Sequence, residues 1–194
     1  MNTNNIKYID QHIYYLNMIE LTNICKKFNI DYQIYIEKEK NIFVKTNDKD
    51  VKKTLIKKII TYIKTSKRLP RTTYKHSVIK FEPVPQSLKK TDVCYYGQYK
   101  NGNQIILSLM KKLTDNKFKF GAISCDILKT AWSQNKKITY QHLANKWMSI
   151  HENTFDHPEW AFIDFVRSTG SNQNWKKVRN DIAKKIMKLI DQQL

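Results

Sequence analysis

The sequence predicts a mainly α chain in two parts: a small helical N-terminal module with a candidate β-hairpin insertion, then a helical domain containing two helix–turn–helix-like repeats. Three observations predict it. Apolar residues recur at helical spacing through most of the chain. Three of the four prolines (Pro70, Pro83, Pro85) and the basic run KTSKRLPRTTYK fall between Tyr62 and Leu88, where no apolar period exists. Two C-terminal stretches read as copies of one another. The expected boundaries are 1–66 for the N-terminal module, 67–87 for a basic Pro-containing connector and 88–194 for the C-terminal domain, with repeat units at about 122–150 and 160–190.

Within the first module, Ile13, Leu16, Ile19, Leu21, Ile24, Cys25 and Phe28 form a helical face. In DYQIYIEKEKNIFVKT, Tyr32, Ile34 and Ile36 alternate with polar positions, and Ile42 and Val44 answer across a turn at 38–41. The residues Thr46–Asp50 offer caps for a second helix, whose buried face is Val51, Leu55, Ile56, Ile59, Ile60 and Ile63. Lys53, Lys57 and Lys64 flank that face with their ammonium groups in solvent. The order is α–β–β–α or α–loop–α. Further on, Gln104–Leu113, Ala122–Ser133, Thr139–Ile150, Pro158–Ser168 and Asn174–Leu194 each carry a helix start or stop signal. Pro158 suits a first helical turn, Gly170 a stop, and Asn172 or Asn174 the next cap. The strand-like KFKF at 117–120 is too short to place.

The copies are DILKTAWSQNKKITYQHLANKWM at 126–148 and DFVRSTGSNQNWKKVRNDIAKKIM at 164–187, with one residue inserted in the second. Each has an acid, two apolar residues, a base, a hydroxyl residue and a polar turn holding Ser133 or Ser171. A second helix then aligns Leu143 with Ile182, Ala144 with Ala183, Lys146 with Lys185, Trp147 with Ile186 and Met148 with Met187. A period of about 39 residues makes this a helix–turn–helix repeat signal.

Charge narrows the function. The chain has 194 residues and a formal net charge of +18, from 31 lysines and 4 arginines against 17 acids. Lys, Ile and Asn make 72 of the residues, the bias of AT-rich codons, so basic charge is evidence of function only where it clusters. It clusters from Lys49 to Lys75, where ten bases meet one acid, Asp50. No apolar run approaches membrane-spanning length, and MNTNNIKYIDQHIYY has neither a basic nor an apolar leader region, so an intracellular protein is expected. The odd, dispersed Cys25, Cys94 and Cys125 point to buried thiols rather than a disulfide frame. Four glycines (97, 102, 121, 170) leave no Gly-rich phosphate loop.

Two segments carry a family resemblance. LNMIELTNICKKFNI and then DVKKTLIKKIITYI resemble the two helices of a SAP domain, a small DNA-binding module. ITYIKTSKRLP resembles the basic exit from that domain in bacterial SAP proteins with an uncharacterised helical C-terminal domain. FKFGAISCDILKTAWSQNKKITYQHLANKW and EWAFIDFVRSTGSNQNWKKVRNDIAKK resemble blocks of that second domain. The resemblance covers about 16–68 and 88–188. It departs at the linker between the two SAP helices, which is normally a short turn with a glycine; here about 18 residues intervene, none of them Gly. Either a hairpin is inserted or the module is a different α–β–β–α fold. The resemblance implies double-stranded DNA binding through the second helix and its flanks, with a preference for AT-rich tracts, and no catalytic activity.

The residues expected to contact nucleic acid are Lys52, Lys53, Lys57, Lys58, Lys64, Lys67, Arg68 and Arg71 in the basic cluster, Lys136 and Lys137 in the turn of the first repeat, and Trp175, Lys176, Lys177 and Arg179 in the second. Lysine meets phosphate as a point charge, and neutralising roughly 6–10 phosphates makes binding steeply salt-dependent. With so few arginines, readout through guanine edges is not expected. Trp175 stacks on a base or packs on a neighbouring helix; Trp132, Trp147 and Trp160 are core.

No cofactor, metal site or enzyme activity is expected. His142, His151, Glu152, Asp156 and His157 match no ligand pattern and read as ordinary polar residues. Asp126, Asp164, Asp181 and Asp191 occupy helix starts or exposed faces rather than a Mg²⁺ cluster. The expected function is therefore DNA binding by phosphate contact with low to moderate sequence preference, in a nucleoid- or chromatin-associated protein or a viral or mobile-element accessory factor. The C-terminal domain would supply a second contact or a homodimer surface. The alternative is a protein–protein adaptor or virion structural component; a membrane partner is not expected.

Overall fold

The computed structural model describes residues 2–152, 158–160 and 172–192. It corrects the mainly α expectation. Seven α-helices among the described residues are joined by a three-stranded mixed sheet, so the fold is α/β. The hairpin at 31–46 is real and is not a mere insertion, because the connector supplies a third strand to it. The strands are β1 (Gln33–Glu39), β2 (Ile42–Lys49) and β3 (Thr72–Tyr74), in the order β2-β1-β3. β2 runs antiparallel to β1, and β3 runs parallel to it, pairing Ile34, Tyr35 and Ile36 with Thr72, Thr73 and Tyr74. Three residues inside a basic Pro-containing stretch are too few to show a period of two, so β3 reads as connector in the sequence.

The chain forms two compact units that cut across the sequence boundaries at 66 and 87. One is built from the first 32 residues, 52–70 and the described chain after 154; the other from 33–51 and 71–152.

The first unit is helical: α1 (Thr3–His12), a 3-10 turn (Ile13–Tyr15), α2 (Met18–Lys27), α3 (Lys52–Thr65) and α7 (Asn172–Asp191). The expected helical face from Ile13 to Phe28 is broken at Asn17, which starts α2 with a capping box. The Asn17 Oδ1 accepts from the Glu20 amide at 2.9 Å, and Glu20 Oε2 accepts from the Asn17 amide at 2.8 Å. A cap of this kind is worth about 1 kcal/mol. α2 ends on Asn29 and α3 on Ser66, both with positive φ. Ile9, Ile13, Leu16, Leu21, Ile24, Leu55, Ile59, Ile186 and Ile190 are all fully buried in the shared core. Each such side chain contributes roughly 1.5–3 kcal/mol over an exposed one.

The second unit sets α4 (Gln104–Leu113), α5 (Ala122–Ser133) and α6 (Tyr140–Glu152) with the sheet. α5 packs on β3 through Trp132, which meets Tyr74 and Tyr96 edge-on at 5.8 and 5.6 Å between ring centroids. KFKF is not a strand. Its Phe118 is buried against Trp147 at 5.3 Å. The Tyr74, Tyr96, Tyr99 and Tyr140 hydroxyls are all pushed far above the ordinary phenol range, chiefly by burial. Tyr96 spends its proton on Asp48 Oδ2 at 2.6 Å.

Gly97 is required by this unit. Its φ is +95°, and a Cβ there would lie 2.5 Å from the Lys80 carbonyl oxygen and 2.7 Å from Phe81 Cδ1. The same stretch is held by Lys80 and Tyr96, whose amides donate to Tyr96 O and Val78 O at 2.8 and 2.9 Å. Gly97→Ala should therefore lose roughly 2 kcal/mol or more of stability. A urea titration with an unchanged slope and an unmoved midpoint would refute this.

The helix–turn–helix repeat expected in one C-terminal domain is not found as such, since its two second helices, α6 and α7, belong to different compact units. Leu143, Ala144 and Trp147 are buried, as are the aligned Ala183 and Ile186, while Lys146 and Lys185 are exposed. The turns differ. The first unit has a true turn at 134–139, but α7 already begins at Asn172 and runs helically through the aligned positions, with Asn174 inside it. The expected helix Pro158–Ser168, its Gly170 stop and Asp164 lie outside the described residues, apart from a 3-10 turn at Pro158–Trp160.

Candidate nucleic-acid interface

The turn between α5 and α6 is built from SQNKKIT. α5 stops at Asn135, whose φ is +59°, while the Lys136 amide reaches back to the Ala131 carbonyl at 2.9 Å. An asparagine tolerates this left-handed position better than most residues, which is why the helix ends here. Thr139 then caps α6, its Oγ1 accepting from the His142 amide at 3.2 Å. Ile138 is buried beneath the turn, and its carbonyl accepts from the Cys94 amide at 2.8 Å.

This geometry leaves Lys136 and Lys137 exposed. They line a groove of about 400 Å³ with Ala131, Ile138, Thr139, His142 and Lys146. Three lysines and a histidine thus line one concave surface, and no acidic residue lines it. The α6 amides play no part as anion donors. Those of Tyr140 and Gln141 donate to the Asp92 and Lys90 carbonyls at 3.0 and 2.9 Å, and those of His142 and Leu143 go to Thr139. Any anion here is held by side chains. In the sequence Lys136 and Lys137 stand out as a pair, whereas His142 and Lys146 do not. Their spacing of four residues, one turn past the lysine pair, is the signal that places all four on one side.

The basic cluster of α3 is much less available. Lys58 is buried, and its Nζ donates to the Asp31 carbonyl at 2.9 Å. Lys52 reaches the Tyr14 carbonyl at 2.5 Å, and Lys64 pairs with Asp10 at 2.6 Å. Lys53 and Lys57 are exposed and line a depression of about 410 Å³, but Asp10 and Glu159 line it too. Lys53 lies 3.9 Å from the buried Glu159 carboxylate. The local field is visible at Tyr14, whose phenol is raised by partial burial and then by Asp10 and Glu159. Lys67 is exposed. Arg68 is exposed as well, but its Nε donates to the Phe28 carbonyl at 3.0 Å and its guanidinium lies 5.1 Å from the Tyr62 ring centre. Arg71 belongs to the other unit, 4.6 Å above the Tyr35 ring.

On α7, Lys176 and Lys177 are exposed. Trp175 is buried and stacks on Tyr15 at 5.3 Å, which makes it a packing residue, and Arg179 is ion-paired with Glu20. Neither is presented to a nucleic acid as expected. The reason is tertiary: α7 docks its Trp175 edge on the N-terminal helices, and the same docking sets the Arg179 guanidinium against the Glu20 carboxylate in a charge-assisted contact.

Among the described residues no group of three or more His, Cys, Asp or Glu is placed to hold a metal ion. His142 faces the groove, while His151 stacks on Trp147 at 4.5 Å and Glu152 is exposed. Asp156 and His157 lie outside the described residues. Asp126 does not cap α5, since it sits a full turn inside that helix; Asp181 is exposed and Asp191 pairs with Lys27. None of the three cysteines is in a disulfide, and burial raises the thiols of Cys94 and Cys125 away from the reactive thiolate. No helix of the described residues is long and apolar enough to cross a membrane. No family model, curated protein or solved structure matches this chain.

Proposed function

We propose that this protein binds double-stranded DNA through phosphate contacts, docking with the groove between α5 and α6. The observation that carries this reading is the convergence of Lys136, Lys137, His142 and Lys146 on a concave surface with no acid in its lining. Lysine point charges hold a phosphate backbone without reading a base edge, so sequence preference is low to moderate. The exposed Lys53, Lys57, Lys67, Lys176 and Lys177 add a diffuse field that speeds encounter, consistent with a net charge of +18. The resemblance to SAP domains would put the duplex on α3, but the ties of Lys52, Lys58 and Lys64 favour the groove as the primary contact. Such a protein would act inside a cell, as a nucleoid- or chromatin-associated factor or an accessory of a virus or mobile element.

The test is a fluorescence-anisotropy titration of labelled AT-rich and GC-rich duplexes at two salt concentrations. Similar affinities for both, falling steeply with salt, are the expected result. No binding at low salt would remove the reading. The adaptor alternative has its own observation: Ile42 and Phe81 of the second unit are 56% and 65% exposed. It predicts tight capture of one protein and no retardation of DNA.

A further inference from the structure

The sheet has two unlike faces. Ile34, Ile36 and Tyr74 point to the side that α5 covers through Trp132. On the other side the register aligns Tyr35 with Lys45 and with Thr73, and Glu37 with Phe43. Arg71 and Lys75, two residues to either side of Thr73, share this face. The Arg71 guanidinium lies 4.6 Å from the Tyr35 ring centre and 5.8 Å from that of Phe43, and Lys75 Nζ lies 4.7 Å from Phe43. Two aromatic rings and three cations, Lys45 included, therefore occupy one sheet face.

Glu37, the acid that the register sets opposite Phe43, is already engaged. Glu37 accepts from the His76 and Asn41 amides at 2.9 and 3.0 Å and lies 3.4 Å from Lys75 Nζ. Those donors hold its carboxyl below the ordinary glutamate range, the two amides contributing most, so it stays ionised and offsets part of the Lys75 charge. The face is left net positive around π surfaces. Its lower end also adjoins the basic turn, since the Lys75 amide donates to Asn135 Oδ1 at 3.2 Å, directly before Lys136 and Lys137.

The geometry points to a single-stranded nucleic-acid site on this face, with bases stacked on the Arg71–Tyr35–Phe43 layer and the sugar–phosphate chain held by Lys45 and Lys75. A guanidinium set beside aromatic rings adds its own stacking surface to theirs, and stacking of this kind tolerates any base. Lysines beside the rings match the charge of the strand. A duplex keeps its bases paired and cannot use the face. The site stands independently of the groove between α5 and α6.

The experiment titrates the full chain with labelled oligothymidylate, oligouridylate and a duplex. Wild type should bind the single strands, whichever sugar they carry. Arg71→Lys keeps the charge and loses the stacking plane; it should weaken single-strand binding on the order of tenfold with little change in salt slope. Phe43→Ala should do the same, while both variants keep duplex affinity within about twofold. Phe43→Trp should retain binding and show emission quenched by oligothymidylate beyond that of wild type. A preference between the two single strands would identify DNA or RNA as the occupant. No single-strand binding at low salt would overturn the site, as would affinities indifferent to both Arg71→Lys and Phe43→Ala in variants with wild-type melting. Loss of duplex binding alone, with single-strand binding intact, would remove the groove reading and leave this one.

Discussion

Replacing Lys136, Lys137 and Lys146 together by alanine should cut duplex affinity more than any other triple change in the chain. Each lysine that neutralises a phosphate contributes about 0.9 to the slope of log affinity against log salt, so losing three lowers it by about 2.7. That difference corresponds to a loss on the order of tens of fold near physiological salt, and to much less at high salt. All three residues are exposed and line the groove, so folding should be unaffected. The control is the pair Lys53→Ala and Lys57→Ala on α3. Their ammonium groups share a depression with Asp10 and Glu159, so a smaller loss is expected. If the α3 pair abolishes binding and the groove triple does not, the docking surface lies on α3 and the proposed interface is wrong.

The largest effect on stability is expected at Trp132. Its side chain is 4% exposed, its Nε1–H donates to the Cys94 carbonyl at 2.8 Å, and its ring meets Tyr74 and Tyr96 edge-on. Trp132→Ala leaves a cavity at the junction of α5 and the sheet and takes a donor from a buried carbonyl. The expected loss is about 3–5 kcal/mol, against a typical total of roughly 5–15 for a protein domain. Trp132→Phe keeps most of the volume but not the hydrogen bond, and should lose about 1–3 kcal/mol. Thermal unfolding followed in the near ultraviolet separates the cases. A change below about 1 kcal/mol for the alanine variant would mean that this aromatic cluster does not hold α5 to the sheet. Because Trp132 is one residue from the end of α5, its loss should also loosen the turn that carries Lys136 and Lys137.

Much of the helical structure is legible in the residues. Gln104–Leu113 and Ala122–Ser133 coincide with the expected spans, and Leu55, Ile56 and Ile59 are buried as the apolar period requires. The hairpin is legible from its alternation. The candidate site is legible only in part. Lys136 and Lys137 stand out as a pair in a polar turn, whereas Trp175, Lys58 and Arg179 look equally available in the sequence and are not. The capping box at Asn17 and Glu20 is also written there, though the apolar face across it suggests one continuous helix.

The sequence by itself determined where α3 to α7 form, offered the hairpin as one of two readings, and showed the large positive charge and the polar turn between α5 and α6, because helical period, capping and composition act over a few neighbouring residues; α1 was not legible in it. Only the tertiary structure decided the third strand, the division into two units and which basic side chains remain free to meet an anion. Lys58 is taken by Asp31, Arg179 by Glu20 and Lys27 by Asp191, partners 27 to 164 residues away along the chain. A cation's availability depends on what folding brings beside it, and no local pattern carries that information.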